Sequence, residues 1–235
     1  MNKKVIWFDG NNIFVIRRGK TSNKKISDGK DDIIQTYTFS YDQWMYANNM
    51  PKRTMKEFFG LDASNCLDCP FSGNSGNGEC YTHKYQQYAG FISMLKSIKE
   101  SHLTMINEAK RMDIVRMSEG LFVRFGTYGE PSLIPIDLIG AMAMISKSWT
   151  GYTHQSHKEW ASGYKDYFMA SLETATNDSD WRAFIVTAKA NKSIKATQCP
   201  ASKEGGNVTT CSKCSLCSGI LGKGKEDVKI LNHYN

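Results

Sequence analysis

The chain has 235 residues, 40% of them apolar, with 30 Lys+Arg against 23 Asp+Glu for a formal charge of +7. That length buries a real core without disulfides, and this balance of apolar to charged residues excludes a disordered chain. No stretch approaches the roughly 20 apolar residues of a membrane span, and the apolar run in the opening MNKKVIWFDGNN is too short for a secretory signal, so a soluble intracellular protein is expected.

Residues 4–8 and 13–16 are β-prone, and Asp9-Gly10-Asn11-Asn12 between them has turn chemistry, which predicts an N-terminal hairpin. The lysine-rich stretch 17–32 reads as an exposed loop and 33–39 as a third strand. Tyr37, Tyr41, Trp44 and Tyr46 either cover the core or offer rings for stacking on bases. From Tyr81 to about Met117 there is no proline, and Phe91, Met94, Leu95 and Ile98 recur at helical spacing. This predicts one long helix starting directly after Cys80, or two with a break near Ser101-His102. Residues 121–125 read as a strand ended by Gly126, and 136–146 as an apolar helix opened by Pro135. Strands follow at 149–154 and 166–171, a capped short helix at 177–181 and a strand at 182–188. The alternation predicts an α/β fold, a partial β/α barrel or an open parallel sheet, with the hairpin and cysteine-rich loops attached. A single domain is expected, with a β-rich segment at 1–60, a β/α core at 61–190 and a metal-binding loop and tail at 191–235.

The seven cysteines fall into two groups. Cys66, Cys69 and Cys80 have the spacing Cys-x2-Cys-x10-Cys, and Cys199, Cys211, Cys214 and Cys217 the spacing Cys-x11-Cys-x2-Cys-x2-Cys. An odd count suits disulfides poorly, whereas Cys-x2-Cys spacing suits metal. Four thiolates close a site, and the overlapping Cys-x2-Cys-x2-Cys run with a distant Cys-Pro has the ligand chemistry of bacterial ferredoxins, in inverted order. Three thiolates leave a site open, as in an iron–sulfur cluster with one free iron, unless His83 completes a Cys3His zinc site. Either group could instead simply staple loops. Seven thiolates against two cubane cores of about +2 each would lower the net charge to about +4, so charge alone argues weakly for nucleic acid.

Three further residues are candidates for catalysis. Glu130 lies just past a predicted strand, where β/α folds carry their functional loops. Arg124 falls inside an apolar strand, so it either faces solvent or meets an anion: Glu130, a cluster, or a substrate carboxylate or phosphate. His154, beside Tyr152, Thr153 and Gln155, is a candidate acid, base or ligand.

Taken together, these residues resemble the phage "gene product 88"-like family. The resemblance rests on Asn23-Lys24-Lys25, Cys69-Pro70 with Cys80-Tyr81, and Val123-Arg124 with Gly126 and Tyr128-Gly129-Glu130-Pro131. It continues through Gly151-Tyr152-Thr153-His154, Trp181-Arg182-Ala183-Phe184, and Cys199-Pro200-Ala201-Ser202 with the last three cysteines. The match is close over about 120–219 and loose before it. It implies a phage protein acting in the host cytoplasm. A weaker similarity is to radical S-adenosylmethionine enzymes, which place three cysteines before a helix on a partial β/α barrel and carry a Gly-Gly-Glu-Pro-like turn. That similarity implies S-adenosylmethionine at Tyr128, Gly129 and Glu130. The chain departs from that pattern: its spacing is x2/x10 and not x3/x2, Tyr128 replaces the first glycine, and the aromatic Tyr81 follows its cysteine. The expected function is thus a metalloprotein with a [4Fe-4S] cluster, acting on a small molecule or nucleotide. The alternative is a non-enzymatic zinc-stapled module that binds nucleic acid or a host protein.

Overall fold

The computed structural model describes residues 3–173, 180–187 and 194–231. The chain opens with β1 (Lys4–Phe8) and β2 (Asn12–Gly19), followed by β3 (Ile33–Ser40). Helices α1 (Tyr41–Asn49), α2 (Met55–Phe59), α3 (Ala63–Cys66), α4 (Tyr85–Lys96) and α5 (Glu108–Ser118) lead to β4 (Phe122–Tyr128). Then come α6 (Ile136–Ile145), β5 (Ser148–Thr150), β6 (Tyr152–Thr153), β7 (Met169–Leu172), β8 (Ala183–Thr187), β9 (Thr197–Gln198), α7 (Cys211–Cys214) and β10 (Val228–Leu231). Local chemistry sets several of these boundaries. Ser40 and Gln43 form a reciprocal capping box that starts α1, and the Asn107 side chain accepts from Lys110 N at the start of α5.

The strands form two five-stranded sheets, ordered β1-β2-β3-β4-β5 and β6-β7-β8-β10-β9. The expected hairpin is present, with Lys4 opposite Arg17 and Phe8 opposite Ile13. From β3 onward every pairing is parallel, and the second sheet is parallel throughout. Gly151 alone separates the last strand of the first sheet from the first strand of the second. A Cβ there would lie 2.6 Å from the Phe168 ring, so only glycine lets the chain cross between sheets at this point.

Alternation sorts the first sheet's side chains onto two covered faces. Trp7, Phe14, Ile16, Ile34, Val123 and Phe125 pack against α5 and α6, while Ile6, Ile13, Val15, Tyr37 and Phe39 pack against α1, α2 and α4. Each fully buried side chain of this size stabilises the fold by about 1.5–3 kcal/mol. No helix among the described residues is long and apolar enough to cross a membrane.

Three expectations need correction. The helix does not begin at Cys80, because residues 81–84 turn first, with His83 N bonded to Cys80 O, and α4 starts at Tyr85. Its N-terminus therefore does not abut the thiols. The helical stretch is broken by residues 97–107, close to the predicted break. β4 continues through Gly126 to Tyr128, because that glycine sits at a register shift where its N–H bonds the Thr36 hydroxyl. A 3-10 segment, Glu159–Asp166, takes the place of the expected strand start, and β7 begins only at Met169. Most of the helix expected at 177–181 lies outside the described residues.

Candidate metal centre

The two cysteine groups are built alike. Each Cys-x2-Cys pair begins with the last residue of a single-turn helix, Cys66 in α3 and Cys214 in α7. The next residue, Leu67 or Ser215, has φ of +53° or +54°, a region that side chains avoid. This bend turns the chain back and presents the second cysteine, Cys69 or Cys217. Backbone held in such a conformation costs on the order of 1–3 kcal/mol and persists only where its surroundings enforce it.

Cys66, Cys69 and Cys80 gather where β3, β4 and β6 end, the side on which parallel sheets carry their sites. The Asn65 carboxamide donates to Thr38 O at 2.9 Å, and Asn65 O accepts from Glu130 N at 2.7 Å, which ties α3 to β3 and to the residue after β4. Buried Asp62 accepts from Gly73 N (2.8 Å) and Asn74 N (2.9 Å), closing the loop that returns Cys80 to the pair. Burial, reinforced by the charges of Asp62, Cys80, Cys69 and Glu130, pushes the Cys66 thiol well above its usual pKa. Burial raises Cys69 to about 12 and also raises Cys80. His83 stacks on Phe59, its Nδ1 is 2.9 Å from Gly78 O, and its buried Nε2 has no hydrogen-bond partner and faces Asp62 at 4.0 Å.

Glu130 and His154 meet beside this group. The Glu130 carboxylate accepts from Ser132 N (3.0 Å) and Ser132 Oγ (2.7 Å) through one oxygen and from His154 N (3.1 Å) through the other. It thus joins the end of β4 to the end of β6, and burial raises its pKa. The His154 ring lies edge-on to Phe71, and burial lowers its pKa to about 4. Gln155 is fully buried, and neither polar atom of its carboxamide has a hydrogen-bond partner. Arg124 is not with them. It projects from the middle of β4, where its Nη2 donates to the Tyr81 hydroxyl at 2.8 Å. Of the residues expected to hold a cofactor, Tyr128 is a core side chain whose hydroxyl accepts from Gln43 Nε2 at 2.6 Å. Gly129, at φ +74°, is pressed against β3, where a Cβ would lie 2.4 Å from Thr38 O.

Cys199, Cys211, Cys214 and Cys217 line one cavity with Thr150, Pro200, Ala201 and Leu216. The cavity is pinned from several sides. Cys211 N donates to Lys25 O, Gly151 N to Cys217 O, and the Ser215 hydroxyl to that of Ser148. The buried Arg182 guanidinium donates to the carbonyls of Ser218, Leu216 and Glu226, holding the loop after Cys217 against β8. Burial raises the thiols of Cys211 and Cys214 and places Cys217 well above its normal range.

All seven cysteines are free. Among the described residues no three His, Cys, Asp or Glu side chains stand close enough to hold a single metal ion. Sequence reasoning missed Asp62 and Asn65, since nothing in their spacing marks them, and it named Gln155 only as a neighbour of His154; burial is what reveals all three. Comparison with known proteins found no matching family model, curated protein or solved structure.

Proposed function

We propose that the chain is a phage metalloprotein of the host cytoplasm that holds iron–sulfur clusters at its two cysteine groups and acts on a small molecule or nucleotide. The observation that carries this reading is the shared construction of the groups, a one-turn helix ending in cysteine, a strained residue, then a second cysteine. The donor chemistry fits: four thiols surround one cavity, and three more sit beside the unpartnered Gln155 carboxamide and the unpartnered Oδ1 of Asn65.

The overlapping Cys-x2-Cys-x2-Cys run with a distant Cys-Pro is the ligand chemistry of bacterial ferredoxins, which favours a multi-iron cluster over zinc at the four-cysteine group. Cys199, Cys211, Cys214 and Cys217 would hold a closed cluster, and Cys66, Cys69 and Cys80 one with an open position. When bound, such clusters supply electrons for reductive or radical chemistry. This chain's residues exclude water and fix geometry: Glu130 locks the ends of β4 and β6 together, and Gln155 offers an unused donor and acceptor beside the three-cysteine group. On this reading the two sheets joined at Gly151 are the halves of a partial β/α barrel, and S-adenosylmethionine is the candidate cofactor near Glu130.

The test is purification without oxygen, followed by iron, acid-labile sulfide and zinc analysis per chain. Roughly eight irons with matching sulfide are expected, with S-adenosylmethionine cleavage as the next assay. About two zincs without sulfide would overturn the cluster reading and favour a zinc-stapled module. A gel shift with DNA or RNA at varied salt would then test nucleic-acid binding.

A further inference from the structure

The two cysteine groups lie toward opposite ends of one face of the first sheet. Along β4, Phe122 packs with Cys211, while Tyr128 at the other end is close enough for the Cys66 and Cys80 thiols to act on it. Arg124 lies between them on the same face. It belongs to a row set by strand register, in which Arg17 of β2 pairs with Gln35 of β3, Gln35 with Arg124, and Arg124 with Thr150 of β5. Thr150 borders the four-cysteine cavity. Arg17 shares this face because Val15 and Ile13, two and four residues before it, pack there. Arg18 points to the other face and is paired with Asp32 at 3.1 Å.

The row carries two guanidiniums that no carboxylate among the described residues offsets, and the groups acting on Arg124 are the phenols of Tyr81 and Tyr152 and the thiol of Cys211. Among the described residues neither Arg17 nor Arg124 has a carboxylate within ion-pairing distance. Arg17 is instead directly opposite Lys4, a like-charge pairing that destabilises a sheet. Two guanidiniums about two strand spacings, or roughly 10 Å, apart on a half-buried face normally require an anion. Phenol groups complete the surroundings. Tyr81 hydrogen-bonds Arg124 and lies under its guanidinium at 5.9 Å, Tyr37 stands two residues beyond Gln35 on the same face, and Tyr152 follows one residue after β5. Tyr81 as a residue is 46% exposed, so the row reaches the surface there, with the hydroxyl itself turned inward onto Arg124.

We propose that this face is a binding site for a small oxyanion-bearing molecule, a carboxylate or a phosphate, gripped by Arg17 and Arg124 with the Tyr81 hydroxyl as a further donor. Planar guanidinium forks bind both groups in a bidentate manner. The site is built from the sheet, and it borders the four-cysteine group through Cys211, which acts on Arg124, so the test is run on protein of one defined metal content.

The test is isothermal titration of the full-length protein with inorganic pyrophosphate and, separately, with succinate. Wild type and Arg18→Gln should bind at least one probe, and the preferred probe identifies phosphate or carboxylate as the recognised group. Arg17→Gln and Arg124→Gln should each weaken binding by at least about tenfold. If Arg124→Gln loses its folded circular dichroism spectrum, Arg17→Gln and Tyr81→Phe carry the comparison. Absence of heat with both probes at millimolar concentration, or equal affinity in Arg17→Gln and Arg18→Gln, would overturn the proposal.

Discussion

At the scale of single residues, His154 shows how placement outweighs intrinsic chemistry. A free imidazole titrates near 6.5, but burial lowers His154 to about 4, so it is neutral at physiological pH. The unfolded chain therefore binds a proton that the folded chain refuses between these two values. Stability should fall as pH drops from about 6.5 toward 4 and be insensitive to this group above 6.5. NMR titration of the imidazole should show no protonation between pH 5 and 8, and an ordinary midpoint near 6.5 would refute its burial. The cysteines were legible from spacing because a Cys-x2-Cys pair can reach one site whatever surrounds it. Asp62, Asn65 and Gln155 were not, because their roles come from which backbone groups the fold brings to them. Arg124 was half legible: a cation within an apolar strand implies an anion, but its neighbours are fixed by strand register. Glu130 was expected as a catalytic carboxylate, and the structure places it as a clasp between two strand ends.

At the scale of elements, the hairpin, α6 and the parallel alternation followed from turn chemistry and apolar periodicity, which act over a few residues. Boundaries failed where a tertiary contact overrode local preference, as at Gly126, whose amide found the Thr36 hydroxyl and let β4 run on. Arg182 is an element-scale device. Its guanidinium gathers carbonyls from both sides of Cys217, Leu216 before it and Ser218 and Glu226 after it, and it is only 9% exposed. Arg182→Met removes those donors and leaves buried carbonyls without partners, at a cost of roughly 2–4 kcal/mol. The urea midpoint should fall accordingly, with Arg182→Lys intermediate because an ammonium cannot span the same fork of acceptors. A change below about 0.5 kcal/mol would mean that the loop is held by something else.

At the scale of the whole molecule, the two cysteine groups tie segments that the sheets alone leave loosely joined. The first connects α3 and the loop before α4 to three strand ends, and the second connects β9 and α7 to β5 and to the loop before β3. If these groups hold metal as proposed, stripping it should raise hydrogen exchange selectively in residues 66–80 and 199–217, while β1, β2 and β3, covered by apolar side chains on both faces, should stay protected. Uniform loosening would show instead that the metal supports the entire core. The second sheet was the least legible part of the fold. Two of its strands span only two residues, and its order depends on β10 entering between β8 and β9, which no local pattern announces.

That insertion bears on how the protein is made. β10 follows in the chain both of the strands it separates, so on the ribosome β9 emerges with no neighbour to pair with. All four cysteines of the second group leave the exit tunnel before β10 does. The nascent chain thus passes through an interval in which those thiols are reachable from solvent and not yet enclosed, and a metal delivered then meets an open cradle that the arrival of one strand shuts.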